Sequence, residues 1–162
     1  MPVDNSAGFF VGDNMEIWTD ASFDQKRKVA GWGIVIQDGM KERTYSNWFP
    51  VENINLAEMF AIHTACVLSG GRQCTIFTDS QTALAYINQE VTEKPRNPQQ
   101  QRMHIIMKSL AAKIRRFNCQ ILKIKAQQRN MQMPSLNNHQ ADINAKKGLG
   151  KFYLTLERKR VR

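Results

Sequence analysis

The chain has 162 residues, 42% of them hydrophobic, and a formal net charge of +9, which fits one domain with a real core and does not require two. It has no apolar run of about 18 residues and no charged stretch leading into an apolar segment, so neither a membrane span nor a secretory signal is indicated and a soluble intracellular domain is expected. Cys66, Cys74 and Cys119 are widely spaced among apolar neighbours, which suits reduced core thiols rather than a disulfide framework or a zinc site.

In chain order, residues 1–14 mix Gly, Asn, Asp and Ser and read as a lead-in without chemistry. A first strand is expected over Met15 to Ala21, a turn through Phe23 to Lys28, and a second strand over Val29 to Gln37. Gly31 and Gly33 inside that strand mark a bulge or a close backbone approach. Asp38-Gly39 is a hairpin signal, and Glu42 to Phe49 completes an antiparallel meander closed by Pro50. Leu56, Met59, Phe60, His63 and Val67 recur at helical spacing, giving a deeply packed helix to Leu68 that ends at Gly70-Gly71. A strand over Gln73 to Thr78, a helix over Ser80 to Gln89 and a loop from Glu90 to Gln101 follow. Met103, Ile106, Met107, Leu110 and Ile114 define the next amphipathic helix, in which His104, like His63 in the earlier helix, reads as structural. Asn118 to Ala126 reads as the last strand, with Lys123 and Lys125 outward, and Gln127 to Leu136 as a loop. Asn138 to Lys147 is the last helix; Gly148 and Gly150 are expected to stop it and leave a basic tail over residues 151–162. The order βββαβααβα implies a mixed sheet flanked by helices, with the domain over residues 15–150.

Charge is divided unevenly along this order. Up to Glu90, six Lys and Arg stand against eleven Asp and Glu, and the remainder has seventeen against three, so the halves carry −5 and +14. An acidic half beside a basic one fits a metal site next to a polyanion surface, with a phosphate backbone as the expected polyanion. Within the acidic half, Ile17-Trp18-Thr19-Asp20-Ala21-Ser22 and Ile76-Phe77-Thr78-Asp79-Ser80 are two apolar runs that each end in Thr-Asp. Carboxyl ends of neighbouring strands are where ligands gather, so Asp20 and Asp79 are placed to share one site. Two carboxylates held together repel unless a cation lies between them. Glu58, the only formal charge of its helix, either sits in an exposed first turn favoured by the macrodipole or is paired.

Thr19-Asp20-Ala21-Ser22 with Gly31-Trp32-Gly33, Asn55-Leu56-Ala57-Glu58, Thr78-Asp79-Ser80-Gln81, and Asn138-His139-Gln140-Ala141-Asp142 with Ala145 occur in this order. In this combination the chain resembles ribonuclease H of type 1 and the ribonuclease H domains attached to reverse transcriptases, from Met15 to about Leu149. The resemblance implies a ribonuclease H-like α/β fold whose five-stranded mixed sheet has three antiparallel strands and then parallel ones. It also implies hydrolysis of the RNA strand of an RNA–DNA hybrid, with two Mg²⁺ ions (Mn²⁺ able to substitute) about 4 Å apart. Asp20 then corresponds to the ligand shared by both ions, Glu58 and Asp79 to ligands on the leaving-group side, and Asp142 to the ligand on the nucleophile side.

Ser22, Asn55, Gln81 and Asn138 match positions that touch or adjoin the hybrid, and Lys94, Arg96 and Arg102 lie where some relatives carry a basic handle. The pattern departs from relatives at the loop histidine before the final acid: Gln132 stands at that spacing, with Gln127-Gln128 at the strand end. His139 is the nearest imidazole, with an auxiliary role and a helix-capping role both open. The primary expectation is a monomeric hybrid endonuclease, with a reverse transcriptase polymerase in the same polyprotein as its candidate partner; the alternative is a catalytically weak or silent nucleic-acid-binding module.

Overall fold

The structure, a computed structural model, describes residues 15–124 and 133–161. The lead-in over residues 1–14, Lys125 and the glutamines at 127, 128 and 132 lie outside the described residues. Strands β1 (Met15–Asp24), β2 (Val29–Asp38) and β3 (Lys41–Pro50) form the meander, and β4 (Cys74–Thr78) and β5 (Cys119–Lys123) complete one five-stranded sheet in the order β3-β2-β1-β4-β5. β1–β2 and β2–β3 are antiparallel; β1–β4 and β4–β5 are parallel. Helix α1 (Ile54–Leu68) crosses from β3 to β4, α2 (Gln81–Ile87) and α3 (Pro98–Arg115) lead to β5, and α4 (Met133–Val161) ends the described chain. The sheet is the expected ribonuclease H-like one.

Alternation along the strands sorts side chains to two faces. Ile17, Ile34, Ile36 and Ile76 join Met59, Ile62 and Ala65 of α1 in the main core, together with Met107 and Ile114 of α3. Trp18, Val35, Ile124 and Ala141 of α4 form a second, smaller cluster, where Trp18 stacks on Phe77 with ring centroids 5.1 Å apart. α4 lies along β2 and also packs on β1 and β3.

Local chemistry explains the helix starts. The Asn53 side chain accepts from Leu56 N at 2.8 Å, Ser80 from Ala83 N at 3.2 Å, and Asn97 from Gln100 N at 2.8 Å, so each side chain satisfies an N–H that has no partner within its helix. The loop expected to reach Gln101 therefore ends at Asn97, with Pro98 in the first turn of α3, where its missing N–H costs nothing.

α4 differs most from expectation. Met133 to Leu136 is helical rather than loop, and neither Gly148 nor Gly150 stops the helix. Gly148 is there for contact: a Cβ at that position would stand 2.1 Å from the Asn47 carbonyl oxygen. The residues expected to form a tail continue the helix to Val161 and are held to the sheet. Lys151 Nζ donates to the Ser46 carbonyl at 2.6 Å, the Tyr153 hydroxyl donates to Asp24 Oδ2 at 2.8 Å, and Phe152 meets the Trp48 ring edge-on at 4.8 Å.

Candidate active site

Asp20 is the sixth residue of β1 and faces Gly33 of β2 in register. Asp79 follows the last residue of β4 and precedes Ser80, the cap of α2, so the strand end and helix start fix its backbone. Because β1 and β4 are adjacent and parallel, both acids emerge at the same sheet edge. Glu58 reaches this edge from α1. It is the fifth residue of that helix and only 7% exposed, so it is not an acid of an exposed first turn. Asp142, half-buried on α4, lies near enough to Asp20 to raise the Asp20 carboxyl.

Asp20, Glu58 and Asp79 each present a carboxylate oxygen within 4.8 Å of the others. Burial, then the charge of Asp79 and the neighbouring Asp142 carboxylate, to which a protonated Asp20 would donate, push the Asp20 carboxyl up to about 7. Burial and the charges of Asp20 and Asp79 push Glu58 up to about 9, and loss of surrounding water also raises Asp79. Glu58 Oε2 is buried with no hydrogen-bond partner among the described residues. An unpartnered buried oxygen among mutually repelling carboxylates is what a hard, oxygen-seeking divalent cation would satisfy, and the donor set contains no nitrogen or sulfur.

The other expected residues spread around this cluster. Gln81, Lys94 and Arg96 line one open cleft of about 1050 Å³ formed by α2, α3 and the segment between them, with Tyr86, Gln100 and His104. Arg102 is exposed and 3.8 Å from Glu52 Oε2, outside the residues lining that cleft. Ser22 is half-buried on β1 two residues beyond Asp20, and Asn55 is exposed in the first turn of α1. Asn138 is half-buried on α4, its Oδ1 without a partner among the described residues.

His139 is exposed and is the seventh residue of α4, so it does not cap that helix. His63 meets the Phe117 ring edge-on at 5.9 Å, and His104 Nδ1 lies 2.9 Å from the Tyr86 hydroxyl, in keeping with structural roles. Two lysines not included among the expected contacts flank the acids. Lys146 Nζ pairs with Asp142 Oδ2 at 3.2 Å, and Lys123 Nζ donates to Gln81 Oε1 at 3.3 Å while its charge pulls the Asp79 carboxyl down. Lys146 is legible in the sequence as a lysine four residues after an acid on a helix.

A five-stranded mixed sheet that gathers carboxylates from the middle of one strand, the end of the parallel strand beside it and a crossing helix defines the ribonuclease H-like class of fold. The RNase H family model matches residues 12–150, and the chain belongs to the RNase H family. Among solved structures it is similar in fold to RNase H1 from the halophilic archaeon Halobacterium salinarum NRC-1, at 16% identity and a TM-score of 0.61 over 85% of this chain and 98% of that one. It is also similar to LC11-RNase H1, solved in complex with an RNA/DNA hybrid, at 17% identity and a TM-score of 0.60 over 86% of this chain and 99% of that one. A third is the prototype foamy virus protease-reverse transcriptase, at 22% identity and a TM-score of 0.60 over 83% of this chain and 20% of that chain. No match to a curated protein was found.

Proposed function

We propose that the chain is a metal-dependent endonuclease that hydrolyses the RNA strand of RNA–DNA hybrids. The observation that carries this reading is the convergence of Asp20, Glu58 and Asp79 within 4.8 Å, two of them buried. Asp20, Glu58, Asp79 and Asp142 would hold Mg²⁺ or Mn²⁺, which when bound supplies charge stabilisation to the oxygens of the cut phosphodiester and lowers the pKa of bound water.

The chain's own residues set the geometry around that chemistry. β1 and β4 fix Asp20 and Asp79 at one edge, α1 brings Glu58 against them, and α4 brings Asp142 to Asp20. Gln81, Lys94 and Arg96, sharing the cleft beside Asp79, would take the substrate backbone and groove. Ser22, Asn55 and Asn138 are proposed as further substrate contacts, Arg102 as an outlying phosphate contact, and His139 as an auxiliary group near Asp142. Selection of RNA over DNA would rest on the 2′-hydroxyl.

Among the described residues no helix is long and apolar enough to cross a membrane, and an intracellular setting is proposed. The proposed partner in the cell is a reverse transcriptase polymerase, a reading supported by the likeness to the prototype foamy virus protein.

Cleavage of a hybrid labelled on both strands, with Mg²⁺ or Mn²⁺, tests this function. Cutting confined to the RNA strand, dependent on metal and reduced at least about a thousandfold in Asp79→Asn, is expected. Tight, salt-sensitive binding without cutting by either protein would overturn it and leave a binding module.

A further inference from the structure

We propose that Lys123 is a substrate-positioning residue whose ammonium takes a backbone phosphate beside Asp79 and whose bond to Gln81 sets how that amide meets the nucleic acid. This rests on the nuclease reading of the site. Lys123 ends β5 and pairs in register with Thr78, the residue before Asp79. The next residue reinforces that pairing, since Ile124 N donates to the Thr78 carbonyl at 2.9 Å. The backbone beneath Lys123 is thus tied to the backbone that carries Asp79, while the lysine itself is exposed.

Its ammonium has three donors, and among the described residues it bonds one acceptor, Gln81 Oε1, at 3.3 Å. The remaining donors are exposed at the rim formed by the neighbouring ends of β4 and β5, beside Asp79. A phosphate approaching Asp20, Glu58 and Asp79 meets net repulsion, which a cation at that rim offsets. Lys123 is the cation whose charge registers on Asp79. Lys146 is placed differently, because its Nζ is already held by Asp142 at 3.2 Å on the same helix. Lys94 and Arg96 stand in the cleft that Gln81 also lines. Lys123 therefore continues a line of cationic groups from that cleft, through Gln81, to the acids.

The Gln81 bond adds a second consequence. With Oε1 accepting from Lys123, the amide turns its NH₂ away from the lysine and presents a donor to the substrate. Minor-groove base edges and 2′-hydroxyls offer acceptors to such a donor. Lys123 thus selects one of the two amide orientations of a residue in the cleft.

The test compares wild type, Lys123→Gln and Lys123→Arg on a labelled RNA–DNA hybrid, in steady-state cleavage and in fluorescence-anisotropy binding from low to high salt. Lys123→Gln is expected to raise KM and Kd about five- to tenfold, leave kcat within about twofold, and lower the salt slope of log Kd by about one, the signature of one lost phosphate contact. Lys123→Arg is expected to restore the slope. Unchanged Kd and slope in Lys123→Gln, or a fall in kcat at constant KM, would overturn the proposal. Melting temperatures verify that each variant is folded. Wild-type protein that binds the hybrid without cutting it would remove the nuclease reading, and the binding slopes would still decide the role of Lys123.

Discussion

The two faces of the sheet hold their helices by different means. Against α1 the strands offer bulk: Ile17, Ile34, Ile36 and Ile76 mesh with Met59, Ile62 and Ala65. Against α4 the middle of β2 offers almost nothing. A Cβ on Gly33 would stand 2.2 Å from the Ala141 carbonyl oxygen, and one on Gly31 would stand 2.1 Å from that of Ala145. Side chains on the α1 face can shift rotamers to absorb a change, whereas backbone against backbone has no such slack. Each helix also delivers an acid, Glu58 from the meshed face and Asp142 from the close-contact face. Asp20 faces Gly33 in register, so the missing side chain opposite the central acid is what lets α4 bring Asp142 to it.

The difference can be broken experimentally. The largest effect is expected for Gly33→Ala, where one added carbon meets helix backbone at 2.2 Å and should cost about 3–5 kcal/mol in urea unfolding, with loss of cleavage as α4 lifts. Ile62→Ala removes three carbons from the α1 face and is expected to cost about 2–4 kcal/mol, with activity retained by the folded fraction. If the alanine in α1 proves the more damaging, the contrast between the faces fails.

A third effect concerns the acids both faces supply. In the metal-free protein Asp20 and Glu58 hold their protons up to about 7 and about 9, whereas the unfolded chain releases them near pH 4. The folded state binds more protons in that window, so stability falls as pH rises from about 4 to about 9. Thermal melts should show this fall, and millimolar Mg²⁺ at pH 8 should reverse it by binding the ionised, folded form. A stability that rises over this pH range without metal would contradict the assigned burial of the two acids. The smallest change is Tyr153→Phe, which removes the 2.8 Å bond to Asp24 at the far end of α4 and should cost about 0.5–1 kcal/mol without altering Glu58 or α1.

Much of the site can be read from residue order. The repeated Thr-Asp run ends β4 and falls within β1, and their parallel pairing makes neighbours of Asp20 and Asp79. Glu58 is not decidable on its own, because the same sequence fits an exposed first turn. The Asn53 cap settles it by starting the helix at Ile54, which carries Glu58 past the first turn and leaves both Ala57 and Glu58 buried. Gly148 misleads because a local rule, glycine ending a helix, competes with a tertiary one, glycine admitting the Asn47 carbonyl, and only the fold decides between them. Lys123 does point outward, as alternation says, but at a strand end outward is also toward the site. Alternation along one strand carries no information about what the neighbouring strand's end brings alongside.

From Asp142 to Tyr153 runs an unbroken helical rod of eleven steps, about 16 Å long. Its glycine seats at Gly31 and Gly33 act as notches, and the bond from Tyr153 to Asp24 acts as a stop at the far end. Such a rod cannot creep along the sheet by fractions of a turn. The fold thus gauges the position of one carboxylate from an anchor far outside the site, as a ruler locates a mark from its end.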